Sequence, residues 1–177
     1  MPYLVAAVVV LALLVVIDLL LTLAILRRLR SHSERLARFE ALDSLPEPAP
    51  PGEIIGAFTA TTIAGATISD TDLRDHATTI GFFSPSCGPC AEQLPSFENR
   101  ARTHRSFAFV IDEGEPSQDL ADRLAEVATV AVVASDSPAT QAFSVIGYPV
   151  IFEVDTGARV VASAYDVGSM PQLVPAP

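Results

Sequence analysis

A short apolar run, Thr78 to Ser84 (TTIGFFS), leads almost at once into Cys87-Gly88-Pro89-Cys90 and then into a long helical pattern. This junction constrains the fold more than any other stretch of the 177 residues. Its β-branched and aromatic residues suit a strand buried on both faces. A strand that passes directly into a helix belongs to an alternating α/β architecture. The only two cysteines of the chain sit at that passage.

The placement gives the cysteines a chemistry. A helix N-terminus presents unpaired N–H groups and a partial positive charge. A thiolate at Cys87 is stabilised there. The i, i+3 spacing on a first helical turn brings Cys90 within disulfide range. Gly88 and Pro89 form the active-site turn, and Pro89 suits it because its missing N–H would be unpaired anyway. The predicted reaction is thiol–disulfide exchange, with Cys87 attacking and Cys90 resolving. A purely structural disulfide across two residues gains little entropy from so small a loop. Zinc needs about four ligands, and neither a second Cys-x-x-Cys nor any ligand spacing among His32, His76 and His104 supplies them. Copper delivery by two thiolates stays open as a binding alternative. The exchange reading requires neither a cofactor nor a resident metal.

Periodicity fills in the rest. Phe58 to Ile63 and Thr67 to Ser69 read as a hairpin turning at Gly65-Ala66. Asp70 to Asp75 reads as a capped turn or short helix. A helix runs from the cysteine pair to about His104, and Ser106 to Asp112 (SFAFVID) is a second buried strand. Ser117 caps a helix to Val127 with Leu120, Leu124 and Val127 on one face. Thr129 to Ala134 is a strand, and Ser137 to Phe143 a short helix opening on Ser-Pro. Val150 to Val154 and Arg159 to Tyr165 form a closing hairpin around Asp155-Thr156-Gly157. The order β-β-β-α-β-α-β-α-β-β predicts an α/β domain with a mixed sheet.

The chain also carries a membrane signature. Leu4 to Leu26 is a run of 23 residues with one charge, Asp18. At about 1.5 Å per residue it crosses a hydrocarbon core of roughly 30 Å. No basic residue precedes it and arginines follow it directly, so residues 1–30 read as an uncleaved transmembrane anchor. Asp18 is either a polar contact within the membrane or a tolerated carboxyl. Residues 31–52 read as a linker, first basic and then proline-rich, with four prolines between Pro46 and Pro51 acting as a spacer. Residues 53–177 form the folded domain. Beyond residue 40 the chain has six arginines against eighteen acids, a net charge of −12, which excludes nucleic acid as a partner. Arg27, Arg28 and Arg30 follow the span, and the positive-inside rule puts that side in the cytoplasm.

Phe82 to Cys90 (FFSPSCGPC), followed by Glu92, Leu94 and Pro95, resembles the active-site strand and helix of thioredoxin-like proteins. With the anchor, the leading hairpin and the Leu94-Pro95 pair, the chain resembles the membrane-anchored TlpA-like disulfide reductases. The anchor and short basic tail also resemble the MauD-like accessory proteins of methylamine dehydrogenase maturation. The resemblance implies a thioredoxin-like mixed sheet flanked by helices and a domain outside the cytoplasm. It further implies protein thiols and disulfides as substrates, and an upstream electron donor. It implies that Pro149 in Gly147-Tyr148-Pro149-Val150 is cis, with Tyr148 and Pro149 presenting backbone to substrate; a trans proline starting an edge strand is the plainer alternative. Two positions depart from the family pattern. Ser86 stands where thioredoxins usually carry Trp. Gln93 stands where TlpA-like proteins often carry an acid, and Gln is no base. Glu92, one residue earlier, is then the candidate for proton transfer; otherwise it is a solvated helix residue and water serves. Metalloenzyme maturation or copper handling is the alternative function, and a thiol peroxidase lacks its expected Thr and Arg.

Overall fold

The computed structural model describes residues 48–114 and 117–171. The predicted span at 4–26 and the arginine-rich stretch lie outside them. Among the described residues no helix is long and apolar enough to cross a membrane.

Five strands form the main sheet in the order β5-β4-β3-β6-β7. They are β3 (Thr78–Phe83), β4 (Ser106–Asp112), β5 (Thr129–Ala134), β6 (Val150–Val154) and β7 (Val160–Ala164). The first three run parallel, the helical crossovers between them allowing it, while β6 runs antiparallel to β3 and β7 antiparallel to β6. A two-stranded hairpin, β1 (Thr59–Thr61) and β2 (Thr67–Ser69), precedes them. The helices are α1 (Gly88–Ala101), α2 (Gln118–Ala125) and α3 (Pro138–Ala142). The element order is the one the periodicity predicts, and each helix ends somewhat earlier than expected.

Alternation along the strands builds two cores, one on each face of the sheet. Ile80 and Phe82 of β3, Phe107 and Phe109 of β4, and Phe152 of β6 face the hairpin and α3. Phe82 stacks on Phe109 at 4.7 Å between ring centroids, and Phe143 at the end of α3 closes on Phe82 and Phe152. The opposite set, Phe83, Val110 and Ile151, packs with Leu94 and Phe97 of α1 and Leu124 of α2. Burial of apolar side chains on this scale drives the fold. Gly81 lets α1 sit close on the sheet. A Cβ there would fall 2.5 Å from the Phe83 ring and 2.8 Å from the Phe97 ring.

Both edges of the sheet are covered. The hairpin reaches β5 through Ile63, whose N–H donates to the Val130 carbonyl at 2.9 Å. On the other side, the chain before β1 closes on β7. Gly52 N–H donates to the Val160 carbonyl, Val160 N–H to Glu53, and Ser163 Oγ to the Ala49 carbonyl, each at 2.8 Å. Ala49 is buried. The proline-rich stretch, expected to stand clear as a spacer up to residue 52, is thus part of the domain from residue 48. The reason is physical: an edge strand needs partners, and a proline-rich segment still offers its carbonyls. The C-terminal end holds a 3-10 turn, Val167–Ser169, with Val167 and Met170 buried against the α1 face.

Glu153 is the exception to an apolar interior. It is fully buried on the α1 face of β6. Thr79 Oγ1 donates to its Oε1 at 2.9 Å and Arg100 Nε donates at 2.5 Å. Burial pushes its carboxyl up, against the opposing pull of Arg100 and Thr79. The fold therefore makes this carboxyl harder to ionise than in the unfolded chain, with Arg100 and Thr79 holding the ionised form, and stability from this group falls as pH rises through that raised range. Replacing Arg100 with Leu should cost about 3 kcal/mol at pH 7, because it strands a buried carboxylate. Urea denaturation should show the loss shrinking as pH falls and Glu153 protonates.

Candidate active site

The active-site turn runs from the end of β3 into α1. Ser84 is buried and its carbonyl accepts the Cys87 N–H at 3.3 Å, closing the turn. Cys87 is the N-cap of α1, with extended backbone (φ −87°, ψ 110°) and Pro89 within the first turn. Its side chain serves as the cap: the Cys90 N–H donates to Cys87 Sγ at 3.3 Å. An N-cap is ordinarily a hydroxyl or carboxylate that satisfies an orphan amide. Here a sulfur does so, and the same N–H supports negative charge on that sulfur.

The two thiols have different surroundings. Cys87 is partly exposed, whereas Cys90 is buried at 1% exposure among Leu94, Phe97 and the α1 core. The hydrogen bond with Cys87 and then burial push the Cys90 thiol far above its ordinary value. In the dithiol Cys90 is therefore the thiol that ionises less readily, and the partly exposed Cys87 sulfur is the one available to an incoming disulfide.

Tyr148 and Pro149 stand opposite the pair. The Tyr148–Pro149 peptide bond is cis. Cys87 Sγ donates to the Tyr148 carbonyl at 3.3 Å, so this backbone lies directly against the exposed sulfur. The Tyr148 side chain touches both cores, and burial raises its phenol. On the α2 side a pocket of about 200 Å³ opens beside Cys87, lined by Pro85, Ala91, Leu94, Leu120 and Asp119.

The carboxylates fall differently from expectation. Glu92 is exposed on the second turn of α1. Gln93 is a structural group, its Oε1 accepting the Val167 N–H at 3.1 Å and holding the C-terminal turn to α1. The carboxylate bonded to the active-site turn is Glu113, just beyond β4. Its Oε2 accepts from Ser84 Oγ and Ser86 Oγ, each at 2.7 Å. Those bonds hold its carboxyl below the usual range. One cue in the sequence pointed there: Glu113 follows the C-terminal end of a buried parallel strand, where sites of α/β sheets gather. Among the described residues no group of three or more His, Cys, Asp or Glu side chains converges as a metal site.

Comparison with solved structures supports the fold. The chain is similar to the thioredoxin domain of a thiol-disulfide oxidoreductase from Bacteroides vulgatus (17% identity, 65% of this chain and 88% of that one, TM-score 0.54). It is similar to a thio-disulfide isomerase from Thermus thermophilus (20% identity, 66% and 86%, TM-score 0.53). A thiol:disulfide interchange protein from a Bacteroides species matches likewise (17% identity, 64% and 80%, TM-score 0.52). No family model matches the sequence, and comparison with curated proteins finds no match. The chain has a thioredoxin-like fold, a mixed sheet flanked by helices, with a Cys-x-x-Cys pair at the strand-to-helix junction.

The asymmetry of the thiols has a direct readout. With limiting iodoacetamide at pH 8, Cys87 should be alkylated at least about tenfold faster than Cys90. Peptide mass mapping after partial labelling measures the ratio.

Proposed function

We propose that this chain is a membrane-tethered thiol–disulfide oxidoreductase that reduces disulfides in protein substrates. The observation that carries the reading is the Cys90 N–H directed at Cys87 Sγ, 3.3 Å away, on the sulfur that is the less buried of the pair. The names of the similar structures, which concern those proteins, point to the same chemistry.

In the proposed cycle Cys87, as thiolate, attacks one sulfur of a substrate disulfide. A Cys87–substrate bond forms, the substrate S–S bond breaks, and the departing thiolate takes a proton. Cys90 then gives up its proton and attacks Cys87 Sγ. The Cys87–Cys90 bond forms, the mixed disulfide breaks, and the second substrate sulfur leaves as thiol. Two electrons and two protons pass to the substrate. An upstream dithiol donor must return them for another turnover. Gly88 and Pro89 shape the turn that keeps the two sulfurs within reach. Tyr148 and Pro149 bind substrate backbone as an added strand, beside the sulfur under attack. Glu92 is too exposed for its proton transfer to be privileged over water.

The tether is residues 4–26, and the substrates belong to the compartment the domain faces. Resemblance to TlpA-like reductases favours the extracytoplasmic side, against the bias of the arginines after the span. A topology reporter fused to the C-terminus reads the side directly.

The exchange mechanism treats the cysteines unequally, and the test uses that. Cys90→Ser should accumulate mixed disulfides with scrambled or oxidised protein substrates, seen as adducts on non-reducing gels that dithiothreitol removes. Cys87→Ser should accumulate none. Equal behaviour of the two variants, combined with tight Cu(I) binding that both abolish, would instead favour metal delivery.

A further inference from the structure

Glu113 takes no part in that cycle, yet it is fixed to the active-site turn. It follows Asp112, the last residue of β4, at the end of the sheet from which α1 departs. An exposed glutamate ordinarily samples many rotamers, and holding it costs side-chain entropy. Here two hydroxyls converge on one oxygen, and Ser84 Oγ and Ser86 Oγ lie only 3.0 Å apart. Ser84 is buried, so the carboxylate is anchored to rigid structure on one side. Ser86 is exposed and adjoins Cys87, so on the other side the carboxylate is tied to the nucleophile's neighbour.

We propose that Glu113 is a positioning residue that sets the redox poise of the Cys87–Cys90 pair, biasing it towards giving up electrons. The inference rests on the exchange reading above. In the dithiol form any thiolate at the pair lies in the field of this fixed anion. In the disulfide form the sulfurs are neutral and do not feel it. An anion that disfavours thiolate raises the free energy of the reduced state and lowers the reduction potential. It works against the α1 N-terminus, which favours thiolate. The field of Glu113 reaches both Cys90 and the Tyr148 phenol, raising each. Its own carboxyl is held low, so it stays ionised wherever the thiols react.

The electron balance leaves Glu113 unchanged. The pair loses two electrons and two protons on forming its disulfide, and glutathione disulfide accepts them to become two glutathiones. Among the described residues, the titratable groups that the carboxylate acts on are Cys90 on α1 and the Tyr148 phenol before β6; Asp112 precedes it on β4, and Asp119 of α2 lines the pocket beside Cys87. Because only thiolate feels the anion, its effect on the equilibrium grows as pH rises.

The test equilibrates the full-length chain, in detergent, with glutathione buffers at pH 7 and pH 8.5, then quenches with acid and counts thiols by mass. Glu113→Gln should shift the equilibrium towards dithiol by about fivefold at the higher pH. For a two-electron couple that is about 20 mV. The shift should be smaller at pH 7 and should narrow in 1 M salt, which screens an exposed charge. Alkylation of the variant should begin at lower pH. Ser86→Ala keeps the charge but loses half its anchor, and it should move both readouts part of the way in the same direction. It also serves if Glu113→Gln does not fold. Glu126→Gln, an exposed acid at the end of α2, should match wild type. Wild-type exchange with an unchanged equilibrium and pH profile in Glu113→Gln would overturn this inference alone. A wild-type chain that forms no intrachain disulfide would overturn the exchange reading and this inference with it.

Discussion

The backbone N–H of Cys90 points at Cys87 Sγ because Cys87 occupies the N-cap of α1. That single hydrogen bond depends on the whole turn. Ser84 must accept from Cys87, Pro89 must sit where no N–H is needed, and the helix must begin immediately. In return the turn separates the thiols. One sulfur is capped, partly exposed and set against the Tyr148 carbonyl. The other is buried three residues on, where the chain has already entered the core.

The scaffold exists to hold that turn still. β3 is central in the sheet, with β4 parallel on one side and β6 antiparallel on the other. The β3–β6 pairing brings Pro149 and Tyr148 to the same end of the sheet as the cysteines. Gly81 lets Phe83 of β3 and Phe97 of α1 pack edge to face, with centroids 5.0 Å apart. Closing both sheet edges, with the hairpin at β5 and residues 49–55 at β7, leaves no long bare strand among the described residues to pair with other chains. That matters for a domain whose proposed substrates are other proteins.

Much of this was legible because the relevant signals are local. The buried strand, the cysteine spacing and the strand alternation each lie within one stretch of about ten residues, and each predicts its element; Ser117 precedes α2 as expected, but its side chain makes no capping bond. Contacts between distant residues left no such trace. Glu113 meets Ser86 across 27 positions, and nothing near either residue marks the pairing. Glu92 drew attention because it adjoins the motif, but helical geometry leaves it exposed, while Gln93 points at the C-terminal turn. The buried Glu153 looks in sequence like the polar residue of an amphipathic strand. It is buried because Thr79 and Arg100, each more than fifty residues away, converge on it. The prolines before residue 52 read as a spacer because proline disfavours regular structure. The edge of β7 that recruits them is visible only once the sheet has formed.

The central claim is that Cys87 and Cys90 work as one redox unit. The most direct measurement is the mass of the reduced chain after exposure to glutathione disulfide and acid quenching. The account predicts loss of two hydrogens, localised to a peptide linking Cys87 to Cys90, with full return on adding dithiothreitol and no lasting glutathione adduct. A stable glutathione adduct on Cys87 with Cys90 still a thiol would contradict it.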